Sequence, residues 1–128
     1  MASIEEALVG ILTAAAVAGG RVYPVKLPPN PQYPAVVYER VSGERVHAVD
    51  APVAWERPRF RFHCWAESYA DAVATAGALR LALAGYSGTA SGVVIGSISI
   101  ETDFDLVEPA VNPAAWRRVV DFRVSHAE

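Results

Sequence analysis

The chain has 128 residues, 52% hydrophobic and 20% charged, and its eleven basic and fourteen acidic side chains leave a formal net charge of −3. That balance excludes a disordered or fibrous chain and gives no global attraction to nucleic acid or an anionic membrane, so charge acts locally. A chain of this size buries roughly two thirds of its unfolded surface without metal or disulfide staples, and one domain over residues 1–128 is expected.

At the N-terminus, Ser3 followed by Glu6 reads as a capping box, and Ile4, Ala7, Leu8, Ile11, Leu12 and Ala15 then recur at helical spacing until Gly19 and Gly20 end the helix. Glu5 and Glu6 stand where a signal peptide would carry basic residues. The apolar run is also shorter than the about 20 residues of a spanning helix, so a cytosolic, unprocessed protein is expected. A short RVY strand leads into PVKLPPNPQYP, whose five prolines withhold backbone donors and predict an extended, ordered loop or arm.

AVVYERV favours a strand by its β-branched and aromatic content. The following YERVSGERVH repeats Glu-Arg-Val around Ser42 and Gly43. A two-residue turn there would set Arg40 directly opposite Arg45, a like-charge pair that disfavours it. A longer excursion from Ser42 to about Arg57 avoids the clash and carries Glu44, Arg45, His47 and Asp50 away from the core.

In RFRFHCW, Phe60, Phe62 and Cys64 alternate with Arg59, Arg61 and His63, the clearest strand in the sequence. Ser68, with Asp71 three residues on, caps a second helix that runs to about Leu83 before Gly85. Its expected apolar stripe is Tyr69, Val73, Ala76, Leu79 and Leu83, beside a thin strip of Ala70, Ala74 and Gly77. After the turn GYSGTASG come two further strands, VVIGSISIET and WRRVVDFRVSHA. In the second, Val120, Phe122 and Val124 share one face and Arg117, Asp121 and Arg123 the other. The order helix, strands, helix, strands predicts an α+β domain: a mostly antiparallel sheet with two helices on one face and a projecting loop or hairpin.

No arrangement of reactive residues points to catalysis. Adjacent strand residues His63 and Cys64 face opposite ways and cannot share a metal ion. The lone Cys64 fits a reducing compartment. His47 and His126 have no neighbour at ligand spacing. GYSG is one residue short of a nucleophile elbow and follows a helix, and there is no phosphate-binding Gly-rich loop. In ETDFDLVE, Glu101, Asp103, Asp105 and Glu108 crowd one strand end, readable as a cation site or as a solvated or partner-facing acidic edge. Arginines gather elsewhere, at 57, 59 and 61 and at 117, 118 and 123. Acid on one edge and base on other strands suit head-to-tail self-association, while cross-strand pairing within the chain explains the same pattern.

The collinear set GGRVYPVKLPPNPQYPAVVYERVSGERVH, RPRFRFHCWAESYADAVATAGALRLAL, ETDFDLVEP and WRRVVDFRVSH resembles the tail completion or tail terminator proteins of long-tailed bacteriophages and gene transfer agents. The resemblance implies a structural protein without cofactor or catalytic residues. Such a protein is made in the bacterial host cytoplasm and forms a ring, typically a hexamer, at the head–tail junction of the virion. There it stops tube polymerisation and joins tail to head. Implied partners are other copies of itself, the tail tube protein and a head connector or stopper protein, with no nucleic acid specificity and no membrane. On this reading Arg59, Arg61, Arg123, Glu101, Asp103 and Asp105 are subunit-interface residues. Glu44, Arg45, His47 and Asp50, together with the proline-rich stretch from Pro24 to Pro34, touch tube or connector. A head–tail connector, and a small ligand-binding domain or enzyme with a dispersed site, are the alternatives.

Overall fold

The computed structural model describes residues 3–43, 45–46, 55–108 and 115–127, of which 45, 46, 107 and 108 by their backbone alone. Among these residues the chain forms helix α1 (Ile4–Ala14), strands β1 (Val22–Pro24), β2 (Ala35–Ser42), β3 (Arg45–Val46), β4 (Trp55–Glu56) and β5 (Arg59–Ala66), helix α2 (Tyr69–Leu83), and strands β6 (Gly88–Ala90), β7 (Val93–Glu108) and β8 (Ala115–Ala127).

α1 starts where Ser3 Oγ accepts a hydrogen bond from the Glu6 amide at 3.1 Å. Only that half of the expected capping box forms, since the Glu6 carboxylate faces the Ser3 hydroxyl at 3.5 Å. The helix also ends earlier than its apolar spacing predicts. Ala16 and Ala18 adopt left-handed backbone, with φ of 55° and 52°, and turn the chain through a 3-10 segment, Val17–Gly20, that buries Val17.

β2 and β5 pair antiparallel over their whole length, and β3 and β4 continue the same two chain runs, with Arg45 opposite Glu56. The predicted clash of Arg40 with Arg45 is therefore avoided, because Arg40 lies opposite Phe60. Of the excursion expected from Ser42 to about Arg57, Arg45–Val46 and Trp55–Glu56 lie in the sheet, and residues 44 and 47–54 lie outside the described residues. β8 is the central strand, with β5 and β4 on one edge and β7 on the other. β1 adds in parallel to β2, the one parallel pair among the described residues of an otherwise antiparallel sheet.

VVIGSISIET and the acidic ETDFDLVE form one 16-residue strand rather than a strand and its end. Register breaks between Ile95 and Ser97 and between Ile100 and Thr102 bend it around β8. At the first break a Cβ on Gly96 would lie 3.1 Å from the Trp55 ring, a close approach that only glycine allows without displacement. The GYSGTASG turn contains a further strand, β6, closed onto β7 through Ser91 and Gly92, both at positive φ.

The burial of β5 alternates without exception, with Phe60, Phe62, Cys64 and Ala66 inaccessible. With Val36, Val120, Phe122 and Val124 they meet Leu8 and Leu12 of α1 and Leu79 and Leu83 of α2, so both helices cover one face of the sheet. The buried stripe of α2 is Ala72, Thr75, Ala76, Leu79 and Leu83; Tyr69 and the expected thin strip at Ala70 and Ala74 are exposed. Small Ala72 and Ala76 supply the close approach instead, because that phase of the helix faces the aromatic floor.

Candidate assembly surface

Among the described residues the other sheet face carries no helix. Along β8 the residues that alternate with Val120, Phe122 and Val124 present Arg117, Val119, Asp121 and Arg123 to this face, with Val119 and Asp121 buried there, and β5 presents Arg59, Arg61, His63 and Trp65. Two cross-strand rows result: Glu39, Arg61, Asp121 and Thr102, and beside it Val37, His63, Val119 and Phe104.

Asp121 is the anchor. Its side chain is inaccessible, and Oδ2 accepts from Arg59 Nη2 at 2.7 Å while Oδ1 accepts from Arg61 Nε at 2.9 Å. Glu101, projected by the second bulge, accepts from Arg123 Nε at 2.7 Å and lies 3.5 Å from Arg59. His63 donates from Nε2 to Glu39 at 3.0 Å, which leaves Nδ1 to accept from Arg117 at 3.4 Å. On the helix side Asp105 accepts from Arg118 and from the Tyr69 hydroxyl, and Asp103 lies 3.8 Å from Arg80.

All six residues expected at subunit interfaces, Arg59, Arg61, Arg123, Glu101, Asp103 and Asp105, thus have opposite charges within their own chain. Of the residues expected to touch tube or connector, Glu44, His47 and Asp50 lie outside the described residues. Arg45 is placed by its backbone in β3. Around the paired charges run exposed apolar side chains: Ile100, Phe104 and Leu106 on β7, Trp116 on β8 and Tyr69 on α2. Arg61 lies over the Phe104 ring at 5.6 Å and Arg117 over Trp65 at 4.6 Å, so guanidinium and aromatic planes tile this face.

Four of the carboxylates titrate below their usual range. For Asp121 burial alone would raise the pKa, but the hydrogen bonds from Arg61 and Arg59 outweigh it. Glu101 is lowered first by Arg123 and Asp105 first by Arg118. Glu5, which burial alone would raise, is brought down by Arg40. A depressed folded-state pKa contributes stability that is complete above the unfolded value, about 4, and is lost as pH falls through the folded value. The urea midpoint should therefore be flat from about pH 7 to 5 and decline below about pH 4, and a midpoint that rose on acidification would contradict these pairings.

Cys64 faces the helices, and burial pushes its thiol up to about 12, which makes it inert at neutral pH. His126, unremarkable in sequence, is buried between β4 and β7, and its Nε2 has no hydrogen-bond partner among the described residues. Its neighbours come from Glu56 and Ile95, far away in the chain, so no local pattern marks it. Among the described residues no three His, Cys, Asp or Glu side chains converge on a common metal position.

No curated protein sequence matches the chain. Among solved structures, a chain from the "Virion of native gene transfer agent (GTA) particle" shares this fold with a TM-score of 0.69 and 20% identity, over 98% of this chain and 96% of that one. The family model described as "Tail completion protein gp17" matches residues 3–127. With the match running through both helices, the central strands and the β7–β8 pair, the chain belongs to this tail completion family, and its role is a structural one in a phage-type tail.

Proposed function

We propose that the protein forms a ring, a hexamer by family resemblance, on the head-proximal end of the tail tube, where it terminates tube polymerisation and joins tail to head. The observation that carries this reading is the family match, which runs over residues 3–127. Its partners on this reading are neighbouring copies, the tail tube protein and the head connector or stopper, at the head–tail junction of the virion after synthesis in the host cytoplasm. The work is steric and geometric, without catalysis.

The open sheet face is the proposed subunit contact. Arg59, Arg61, Arg123 and Glu101 act there, and Asp103 and Asp105 on the helix side of the adjoining β7 edge, by fixing the shape of the contact and bringing it close to electrical neutrality, which lowers the desolvation cost of docking against a neighbour. The exposed Phe104 and Leu106 then supply apolar area at the rim. Glu44, Arg45, His47 and Asp50, on and beyond β3, are the proposed contacts with tube or connector.

Tail tubes polymerised in the presence of the protein should stop at uniform length and carry one ring at one end in negative-stain micrographs. Tubes that keep growing, uncapped, at saturating protein would refute termination. Rings found only on the neck of DNA-filled heads would identify a head–tail connector instead.

A further inference from the structure

A second polar site lies on the helix side of the sheet, away from the open face. Ser3 to Glu5 of α1, Arg40 of β2, Glu56 of β4, the start of β7 and His126 enclose a hollow of about 520 Å³. Arg40 bridges its two carboxylates, donating to Glu5 Oε1 at 2.7 Å and to Glu56 Oε1 at 2.6 Å. Glu56 Oε2 is left over, 4.0 Å from Nε2 of His126. The His126 ring nitrogen Nδ1 lies 2.9 Å from the Ala127 carbonyl, which can only accept, so in the neutral ring Nε2 bears the lone pair. Nε2 is buried in the single chain, so a small shift of the Glu56 side chain is needed before one nitrogen can lie about 2.8 Å from both acceptors; with two carboxylates set against one guanidinium the hollow is acidic. The chemistry that completes it is an ammonium held by aliphatic walls, here Ile4, Val93 and Val94.

We propose that this site receives the ammonium of Lys26 from a second copy of the chain, a head-to-tail contact between neighbouring subunits that rests on the ring reading above. Lys26 is the only lysine in the sequence, and it is exposed with no ion-pair partner among the described residues. It stands on the loop after β1, pinned where the Val25 amide donates to Tyr38 O at 2.8 Å. Val25 itself has φ of 66°, unusual for a β-branched residue, and its side chain is 71% exposed, so an apolar contact travels with the cation. The shallow hollow beside Lys26 is lined by His63 and Arg117, which makes the donor side basic where the receiving side is acidic.

Donor and receiver lie on opposite faces of the sheet. Arg40 reaches over Phe60 on the helix side, whereas the Lys26 hollow is floored by Val37, His63 and Trp65 on the open side. A contact between two different patches of identical chains is heterologous, the type that closes a ring.

A single lysine makes the test specific. Full-length protein, mixed from ¹⁴N- and ¹⁵N-labelled batches and bound to tail tubes, is treated with a carbodiimide, which joins an amine to a carboxylate in contact with it. Mixed-isotope peptides linking Lys26 to Glu56 or Glu5 are expected. Lys26→Ala, at an exposed position, should keep the wild-type melting temperature yet require about tenfold more protein to cap tubes, whereas Lys26→Arg should cap normally and lose the cross-link. Capped tubes whose Lys26 links run only within one copy or to other carboxylates, or normal capping by Lys26→Ala, overturn this contact and leave the ring intact. No capping and no inter-copy link by the wild type overturns the ring reading and this contact with it.

Discussion

Replacing Asp121 by alanine should destabilise the fold by about 3 kcal/mol, because it leaves Arg59 and Arg61, side by side on one face of β5, without their shared carboxylate on β8. The two arginine side chains are 28% and 32% exposed and can partly rehydrate, which places the loss at the low end for a broken buried pair. For a domain of this length that corresponds to a fall in Tm on the order of 10 °C. Asp121→Asn keeps the shape and one acceptor but not the charge, and should fall between wild type and alanine. It should also remove part of the decline in urea midpoint below about pH 4, since Asp121 is one of the groups whose pKa folding depresses. Exchanging the cluster together, Arg59→Met, Arg61→Met and Asp121→Leu, should recover most of the loss, as replacement of a buried ion cluster by packed apolar groups commonly does. An alanine variant within about 0.5 kcal/mol of wild type, an ordinary surface effect, would mean that the triad contributes nothing measurable.

Phe62→Ala should have the largest effect of any single truncation in the core, about 3–5 kcal/mol by urea denaturation. Phe62 sits on β5 between β2 and β8, fully inaccessible, with the Phe122 ring edge-on at 5.6 Å and the Tyr38 ring at 6.4 Å. Cutting it to a methyl removes the apolar surface that both helices cover and opens a cavity that neither strand can close without breaking register. Against a typical total of 5–15 kcal/mol, such a variant can be largely unfolded at growth temperature, so Phe62→Leu, with a smaller loss, supplies a second measurement. A Phe62→Ala loss below about 1 kcal/mol would show that the core under β5 relaxes freely and is not close-packed.

The two positions differ in how visible they are in the sequence. Phe62 was legible because strand geometry has a strict period of two, and RFRFHCW obeys it for seven residues. The same rule separated His63 from Cys64 and disposed of a metal site there. Ser68 and Asp71 marked the start of α2, since capping is decided by a few consecutive residues, and Asp71 N–H does donate to Ser68 Oγ at 3.2 Å. The phase of α2 was misread because its sequence is alanine-rich on nearly every side. What selects Ala72 and Ala76 for burial is the aromatic floor opposite, which α2 does not encode.

Order and charge pattern along the chain by themselves determined the α+β class, the two helices on one face, the alternating strands and the family resemblance. Each of these depends on periodicities and caps that span a few residues, or on collinearity of segments. Only the tertiary structure decided where the charges go. The sequence left head-to-tail pairing and cross-strand pairing equally open, and strand register places Asp121 between Arg59 and Arg61, Glu101 beside Arg123, and Asp105 beside Arg118, all within one chain. It also decided that His126 is buried beside Glu56, 70 positions earlier in the numbering, with its Nε2 unpartnered among the described residues. Register and sheet order are set by packing among residues distant in the chain, and electrostatic partners follow from them, so a local reading of charge recognises the residues but not which of them meet.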